Sequence, residues 1–323
     1  MAKRMKSKIQ PSVLTLTCLT DAAQGTIEPV TDPLFPTTLF YYADLSKMTS
    51  EVNRRFYRQG LNWAVSHIEI LTSGEGNIQV NKLPQTWVMS NAWEKGFRAW
   101  QRQQREALQN GDQESVKAKF NDFKIYMNAR HHGGKGDGEL KPTDSEGNYV
   151  KDGEWEHSQV VIPNYGSPGN NYEPYFVAVG DNVPGTGGAI SLVKAYENSR
   201  STPQSPDPNT IPGITNTENI YSALFDVGDN NLDVMANVVG KNNDLPYDQD
   251  EYPGGDFNFS GLEIHSIHPV TTTTIGGSTT IPGSNFPCGL IEFGIISDAP
   301  PIIKIHLVPG SHRGYLAEPM TEM

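Results

Sequence analysis

Apolar positions along the chain fall into short runs rich in β-branched and aromatic residues, set off by Gly, Pro, Asn and Asp. Runs of this kind predict strands, because branched and flat side chains pack well on a pleated surface while the intervening residues favour turns. Val13–Thr20 alternates apolar residues with Thr. Leu39–Ala43, Ala64–Thr72, Ile78–Val80 and Gln85–Met89 follow. Lys124–Asn128, Gln159–Ile162, Tyr175–Val179, Ile190–Tyr196, Leu262–Thr274, Leu290–Ile296 and Ile302–Val308 complete the set. The pattern predicts a mainly β protein in which about eight strands frame a sandwich.

Helical periodicity is rarer. Asn91–Leu108 follows Ser90, an N-cap residue, and precedes Asn110-Gly111, a stop signal. Trp93, Phe97, Trp100 and Leu108 fit one apolar stripe, and Arg98, Arg102 and Arg105 share a neighbouring face. Thr217–Phe225 and Asn231–Val239 are two further candidates. Turn-rich stretches at about 133–158, 199–217 and 241–260 read as surface-loop insertions in one elaborated domain. A basic arm over residues 1–12 precedes that domain, which is expected to span 13–323.

Composition adds little to this picture, but the order of charges adds much. The 323 residues carry a net charge of −12. Met1–Arg130 holds 17 Lys/Arg against 12 Asp/Glu, whereas His131–Met323 holds 8 against 25. Basic groups begin at Lys3, Arg4, Lys6 and Lys8, and recur at Arg54, Arg55 and Arg58 and at Arg98, Arg102 and Arg105. Such a distribution suits a protein that meets a polyanion on one side and water on the other. No apolar run approaches the roughly 20 residues of a membrane span, and no membrane partner is expected. Cys18 and Cys288 have neither metal-ligand spacing nor the numbers for a disulfide framework, which points to synthesis in a reducing compartment.

Motifs of catalysis are missing. There is no GxxxxGK[ST], no GxSxG and no HExxH. Pro184-Gly185-Thr186-Gly187-Gly188 reads as a turn between strands. His131 and His132, being adjacent, would diverge on a strand, and His265 and His268, three apart, would face opposite sides; neither pair predicts a metal site. Asp244, Asp248, Asp250, Glu251 and Asp256 form either a solvated acidic loop or a hard-cation site. No cofactor is expected, and the chain reads as a non-enzyme. The basic groups form the coherent signal. Lys3, Arg4, Lys6 and Lys8 suit phosphate neutralisation, and Trp93, Phe97 and Trp100 beside Arg98, Arg102 and Arg105 would suit single-stranded nucleic acid. The competing reading places these aromatics in the core and pairs the arginines with Glu94 and Glu106.

A short basic start, many short strands and ornate loops come together with QVVIPNYGSPGN (Gln159–Asn170), YFVAVGD (Tyr175–Asp181), LVKAYENSRSTPQ (Leu192–Gln204), LFDVGDN (Leu224–Asn230) and PCGLIEF (Pro287–Phe293). In these the chain resembles the capsid protein of small circular Rep-encoding single-stranded DNA viruses, with pecovirus-, smacovirus- and porcine circo-like relatives all compatible. The resemblance implies a single jelly roll of two four-stranded antiparallel sheets, self-assembled into a small icosahedral shell around viral single-stranded DNA. Basic arm and inner face would meet the genome; the location would be the virion, with a nuclear stage of assembly open and a host receptor unspecified. One departure stands out: such capsids commonly carry long Arg-rich arms, whereas Met1–Gln10 offers four charges. Beside a jelly-roll hydrolase or metal-dependent oxygenase, which would need two His and a carboxylate converging in one barrel mouth, two other readings remain. One is a carbohydrate-binding or adhesion sandwich, stacking sugars on Trp155, Tyr165, Tyr172, Tyr247 or Tyr252. The other is the capsid of a small positive-strand RNA virus, since phosphate contacts do not distinguish the two nucleic acids.

Overall fold

A computed structural model describes residues 12–20, 26–28, 38–111, 122–134, 138–153, 155–164, 169–201, 261–271, 277–297 and 299–320. In chain order the elements are β1 (Thr15–Leu19), β2 (Thr26–Glu28), β3 (Thr38–Asp44), α1 (Leu45–Asn53), β4 (Leu61–Leu71) and β5 (Gly76–Lys82). Next come α2 (Trp87–Asn110), α3 (Ala129–Gly134), β6 (Tyr175–Val177), β7 (Ala189–Ser191) and α4 (Leu192–Ser201). The last are β8 (Glu263–Val270), β9 (Ser278–Pro282), β10 (Asn285–Phe286), β11 (Leu290–Ser297), β12 (Ile302–Leu307), β13 (Pro309–Gly310), β14 (Gly314–Tyr315) and β15 (Ala317–Pro319). Strand outweighs helix and the main sheets are antiparallel, so the fold is mainly β. The chain divides into two compact units: residues 1–83, 133–155 and 262–322 form the first, and 84–132 with 156–261 the body of the second.

The first unit holds two antiparallel sheets on a common core. In one, β1, β12 and β4 lie side by side, and β9 pairs the C-terminal part of β4 while β10 and β15 flank its N-terminal part. In the other the order is β2-β3-β11-β5-β8. Strand alternation decides which residues face inward. Leu16, Ile305, Ile68 and Ile281 form one cross-strand row and are all buried. Thr15, His306, His67 and Pro282 form the next row, on the opposite face. Tyr41, Ala43, Ile78, Val80, Ile291, Phe293 and Ile295 supply the second sheet's share of the core. Each buried aliphatic or aromatic side chain contributes roughly 1.5–3 kcal/mol relative to exposure.

The inward positions of β4 change phase, from Trp63 and Val65 to Ile68 and Ile70. An extra residue, Ser66, absorbs the change, where the register against β12 jumps between His306 and Leu307. Gly283 passes this bulge so closely that a Cβ there would lie 2.0 Å from the Val65 carbonyl and 2.2 Å from that of Ser66. Only glycine fits. On β11, buried Glu292 accepts hydrogen bonds from Tyr42 (2.7 Å) and Asn81 (2.8 Å), which satisfy its oxygens inside the structure.

The second unit contains α2, α4 and the short parallel pair β6–β7. Gln85–Met89, expected as a strand, instead opens α2: Thr86 caps the helix by accepting from the Met89 amide at 3.4 Å. Val88, Met89, Ala92, Trp93, Gly96, Ala99 and Trp100 then recur at helical spacing and are buried. Ile190–Tyr196, also expected as a strand, keeps that form only to Ser191 and continues as α4, whose Leu192 packs on Gly96. Lys124–Asn128 and Gln159–Ile162 take part in isolated bridges, not full strands. Gly185–Gly188 makes the expected turn, closed by the Gly188 amide on the Gly185 carbonyl at 3.0 Å. The helices expected at 217–225 and 231–239 lie outside the described residues.

Candidate nucleic-acid interface

The N-cap of α1 is Asp44, whose carboxylate accepts from the amides of Ser46 (2.9 Å) and Lys47 (3.1 Å) and from the Gln59 side chain (3.0 Å). The helix ends at Arg54, which adopts a left-handed conformation with φ of 51°. This turns the chain sharply, so the next residues run extended and alternate in and out. Tyr57 and Gln59 are buried; Arg54, Phe56 and Arg58 are exposed and Arg55 is half-buried. Arg54 donates to the Lys151 carbonyl at 3.1 Å, and Phe56 lies 6.3 Å from Trp155, ring to ring.

The hairpin β13–β14 brings in a further cation, Arg313, whose guanidinium donates to the Phe56 carbonyl. The Arg313 carbonyl in turn accepts from Tyr57 Oη (3.2 Å) and Ser12 Oγ (2.9 Å). Tyr315 completes the join. Its ring packs on Tyr57 (5.4 Å) and Trp63 (5.6 Å), and its hydroxyl donates to the Val13 carbonyl at 2.6 Å while accepting from Asn53 at 2.7 Å. Residues 12 and 13 are therefore fixed beside Arg54, Arg55, Arg58 and Arg313. Lys8 is four residues earlier in the sequence. Lys3, Arg4, Lys6 and Lys8 themselves lie outside the described residues.

The second predicted group is arranged otherwise. Trp93 and Trp100 are buried and Phe97 half-buried, and all three pack around Phe123, which also meets Phe176. Trp93 and Trp100 are core residues, and Phe97 stacks on Trp93. Arg98 is bound to Glu94 (2.6 Å) and Arg102 to Glu106 (2.9 Å), exposed i,i+4 pairs that cancel two of the three positive charges. Arg105 is exposed with no ion-pair partner among the described residues. The first arginine group belongs to the first unit and the α2 group to the second.

No protein family, no curated protein and no solved structure matches this chain.

The charge split along the sequence does not become a split between units. From the residues assigned to each, the first carries 14 Lys/Arg against 18 Asp/Glu (−4) and the second 11 against 19 (−8). Positive charge is concentrated locally instead. Of the acids near the arginines, Asp152 is committed to Lys141 at 3.1 Å. Glu51 is buried, and burial pushes its carboxyl up to about 7, with Asp152 adding to the effect and Lys47 opposing it. His312 sits in the same cluster. Its ring meets Trp63 and Tyr57 edge-on, and burial together with Arg313 and Arg58 holds its pKa below the usual value.

Two further histidines differ from expectation. His131 and His132 sit on α3, not a strand, and both are buried edge-on against Tyr126, with ring centroids at 5.1 and 5.2 Å. His131 Nδ1 accepts from the Met127 amide at 3.0 Å. His265 is within hydrogen-bond distance of the Pro282 carbonyl, at 2.8 Å. His67 and His306 stack across β4 and β12, 4.1 Å apart and 9° from parallel. Two parallel rings cannot both direct in-plane lone pairs at one metal ion. Among the described residues no three metal-ligating side chains converge. Tyr172, proposed as an exposed sugar platform, is buried and donates to the Val183 carbonyl at 2.9 Å. Tyr165, Tyr247, Tyr252 and the carboxylates Asp244–Asp256 lie outside the described residues.

The sequence reading passed over Phe56, Arg313 and His312. A signal existed for the first: Arg54-Arg55-Phe56-Tyr57-Arg58 interleaves cations with aromatic rings. Arg313 and His312 carry no such signal, because only the β13–β14 hairpin brings them to the end of α1.

Proposed function

We propose that this chain is a capsid protein whose first unit is a jelly roll, and that the arginine cluster at the end of α1, continued by the basic arm, meets the packaged nucleic acid. One observation carries the reading. Number β1, β3, β4, β5, β8, β9, β11 and β12 one to eight in chain order. The two sheets then run 1-8-3-6 and 2-7-4-5. The pairs 1–8, 2–7, 3–6 and 4–5 are all antiparallel, as in one long ribbon rolled on itself. With β2, β10 and β15 set aside as additions at the sheet margins, that connectivity supports a jelly-roll reading, an architecture used by viral capsids, lectins and cupins. The clustering of Arg54, Arg55, Arg58 and Arg313 at one place supports the capsid among these, since phosphate neutralisation needs fixed cations.

Self-assembly would bury strand and loop surfaces between copies, and nucleic acid of either sugar type would be held by its phosphates. Size-exclusion chromatography of the full chain followed by negative-stain microscopy tests this. Uniform closed shells are expected, with co-purifying nucleic acid that falls when Arg54, Arg55 and Arg58 are changed to Ala. A persistent monomer that binds glycans through Phe56 and Trp155 would replace the reading with the carbohydrate-binding one.

A further inference from the structure

We propose that His312 couples proton uptake to polyanion binding at the Arg54, Arg55, Arg58 and Arg313 cluster, so that the interface tightens as the solution becomes more acidic. This rests on the reading of that cluster as the nucleic-acid interface.

The geometry supplies the reason. The His312 ring is held edge-on against Trp63 (6.4 Å, 81°) and Tyr57 (6.2 Å, 62°). Its backbone amide is bonded to the Tyr315 carbonyl at 2.9 Å, which fixes the hairpin. Nε2 is buried and has no hydrogen-bond partner among the described residues. The next residue, Arg313, is itself anchored to the Phe56 carbonyl. A proton on this imidazole is therefore opposed by two cations, Arg313 from its own hairpin and Arg58 from the segment after α1, and by loss of water.

Phosphates seated on the arginines would remove the first opposition. With the guanidinium charges neutralised, the imidazolium becomes easier to form, and a proton is drawn from solvent onto the ring. Linkage is reciprocal, so a proton already present strengthens phosphate binding by the same factor. A rise of one pKa unit on binding corresponds to about a tenfold gain in affinity on the acid side.

The other groups facing this region are accounted for. Tyr57 meets the His312 ring edge-on, and burial pushes the Tyr315 phenol up to about 12. Arg54 and Arg55 come from the turn that ends α1. Lys151, Lys141 and Asp152 come from the 138–153 segment, with Asp152 paired. Glu51 on α1 also titrates near neutrality and is the competing proton acceptor. A variant at each separates the two.

The test is fluorescence anisotropy of a labelled oligo-dT of about 20 nucleotides with the full chain, between about pH 5.5 and 8 at fixed salt. The wild type is expected to bind about tenfold more tightly at the acid end. His312→Gln should bind like the wild type at the alkaline end and lose that gain, while Glu51→Gln retains it. Calorimetry of the wild type in two buffers of different ionisation heat should show net proton uptake on binding, a readout independent of whether the variant folds. An unchanged pH slope in His312→Gln, or its loss in Glu51→Gln instead, overturns the coupling. If Arg58→Ala and Arg313→Ala bind as well as the wild type at every pH, the interface itself is wrong and the coupling falls with it.

Discussion

Tyr315→Phe is the most incisive single perturbation of the first unit. It keeps the ring, and with it the contacts to Tyr57 and Trp63, and removes one oxygen. That oxygen makes two hydrogen bonds, to the Val13 carbonyl and from the Asn53 side chain. A net hydrogen bond contributes roughly 0.5–1.5 kcal/mol, and a buried group left without its partner costs about 1–3. Val13 is partly open to water, so its carbonyl is rescued by solvent and the lower half of the range applies: about 1–2 kcal/mol in all. For a unit of this size the melting temperature should fall by about 2–8 °C. The loss should also be local. Hydrogen exchange of peptides covering Ser12–Leu19 should quicken, while the rows around Ile68 and Phe293 keep their protection. Asn53→Ala removes the same link from the other side, because Asn53 Oδ1 also accepts the Val13 amide at 3.1 Å. The double variant should therefore lose less than the sum of the two, by at least about 0.5 kcal/mol. Additive losses, or exchange that quickens evenly across the unit, would show that residues 12 and 13 are not held in this way.

Two pH effects follow from buried titratable groups. Glu51 has a folded value of about 7 against an ordinary 4.5, so the fold favours the neutral acid; its contribution is fully present below about 4.5 and lost as pH rises through about 7. Glu51→Gln should match the wild type in acid and exceed it above neutrality, by roughly 1–3 kcal/mol, in denaturant titrations at several pH values. A variant no more stable than the wild type at pH 8 would count against the burial argument. His306 is shifted the other way, lowered from 6.5 by burial and then by stacked His67, with Lys304 adding to these and Glu69 opposing them. The seam between β4 and β12 is therefore intact above about 6.5 and weakens as pH falls through the lowered value. His306→Gln should flatten the acid limb of a melting-temperature profile; an unaltered limb would place the acid sensitivity elsewhere.

How far the sequence could be read depended on what kind of force decided each element. Strands whose alternation buries one face, such as β1, β4 and β12, were legible because hydrophobic period and structure agree. The stretch Gln85–Met89 was misread because an apolar run of that length is ambiguous, and Thr86 as a cap settles it as helix. Helix α1 was missed: Leu45, Met48 and Val52 recur at helical spacing, but over only nine residues, and the Asp44 cap and packing hold it. The order of strands was not legible, since no local pattern tells β1 that its neighbour is β12. The site divides the same way. Arg54, Arg55 and Arg58 were singled out from clustering, as were the α2 arginines, two of which the structure pairs with Glu94 and Glu106. Arg313 and His312 enter the cluster through tertiary contact alone.

The pairing of β1 with β12 has a consequence for how the molecule is made. Thr15 and His306 are 291 residues apart in the sequence yet neighbours in the sheet. During synthesis β1 leaves the ribosome first and must wait, unpaired, while everything up to Ile302 is translated. At 5–20 residues per second that is on the order of 15–60 s, a long exposure for an apolar edge that can join another chain. By then the residues of the second unit, 84–132 and 156–261, have all been translated. A chain interrupted after Gly261 would keep that unit's residues and lack β8, β9, β11 and β12, half of the eight-strand set. Folding of the first unit is thus tied to completion of the chain, and its non-local contacts should make it the slow step.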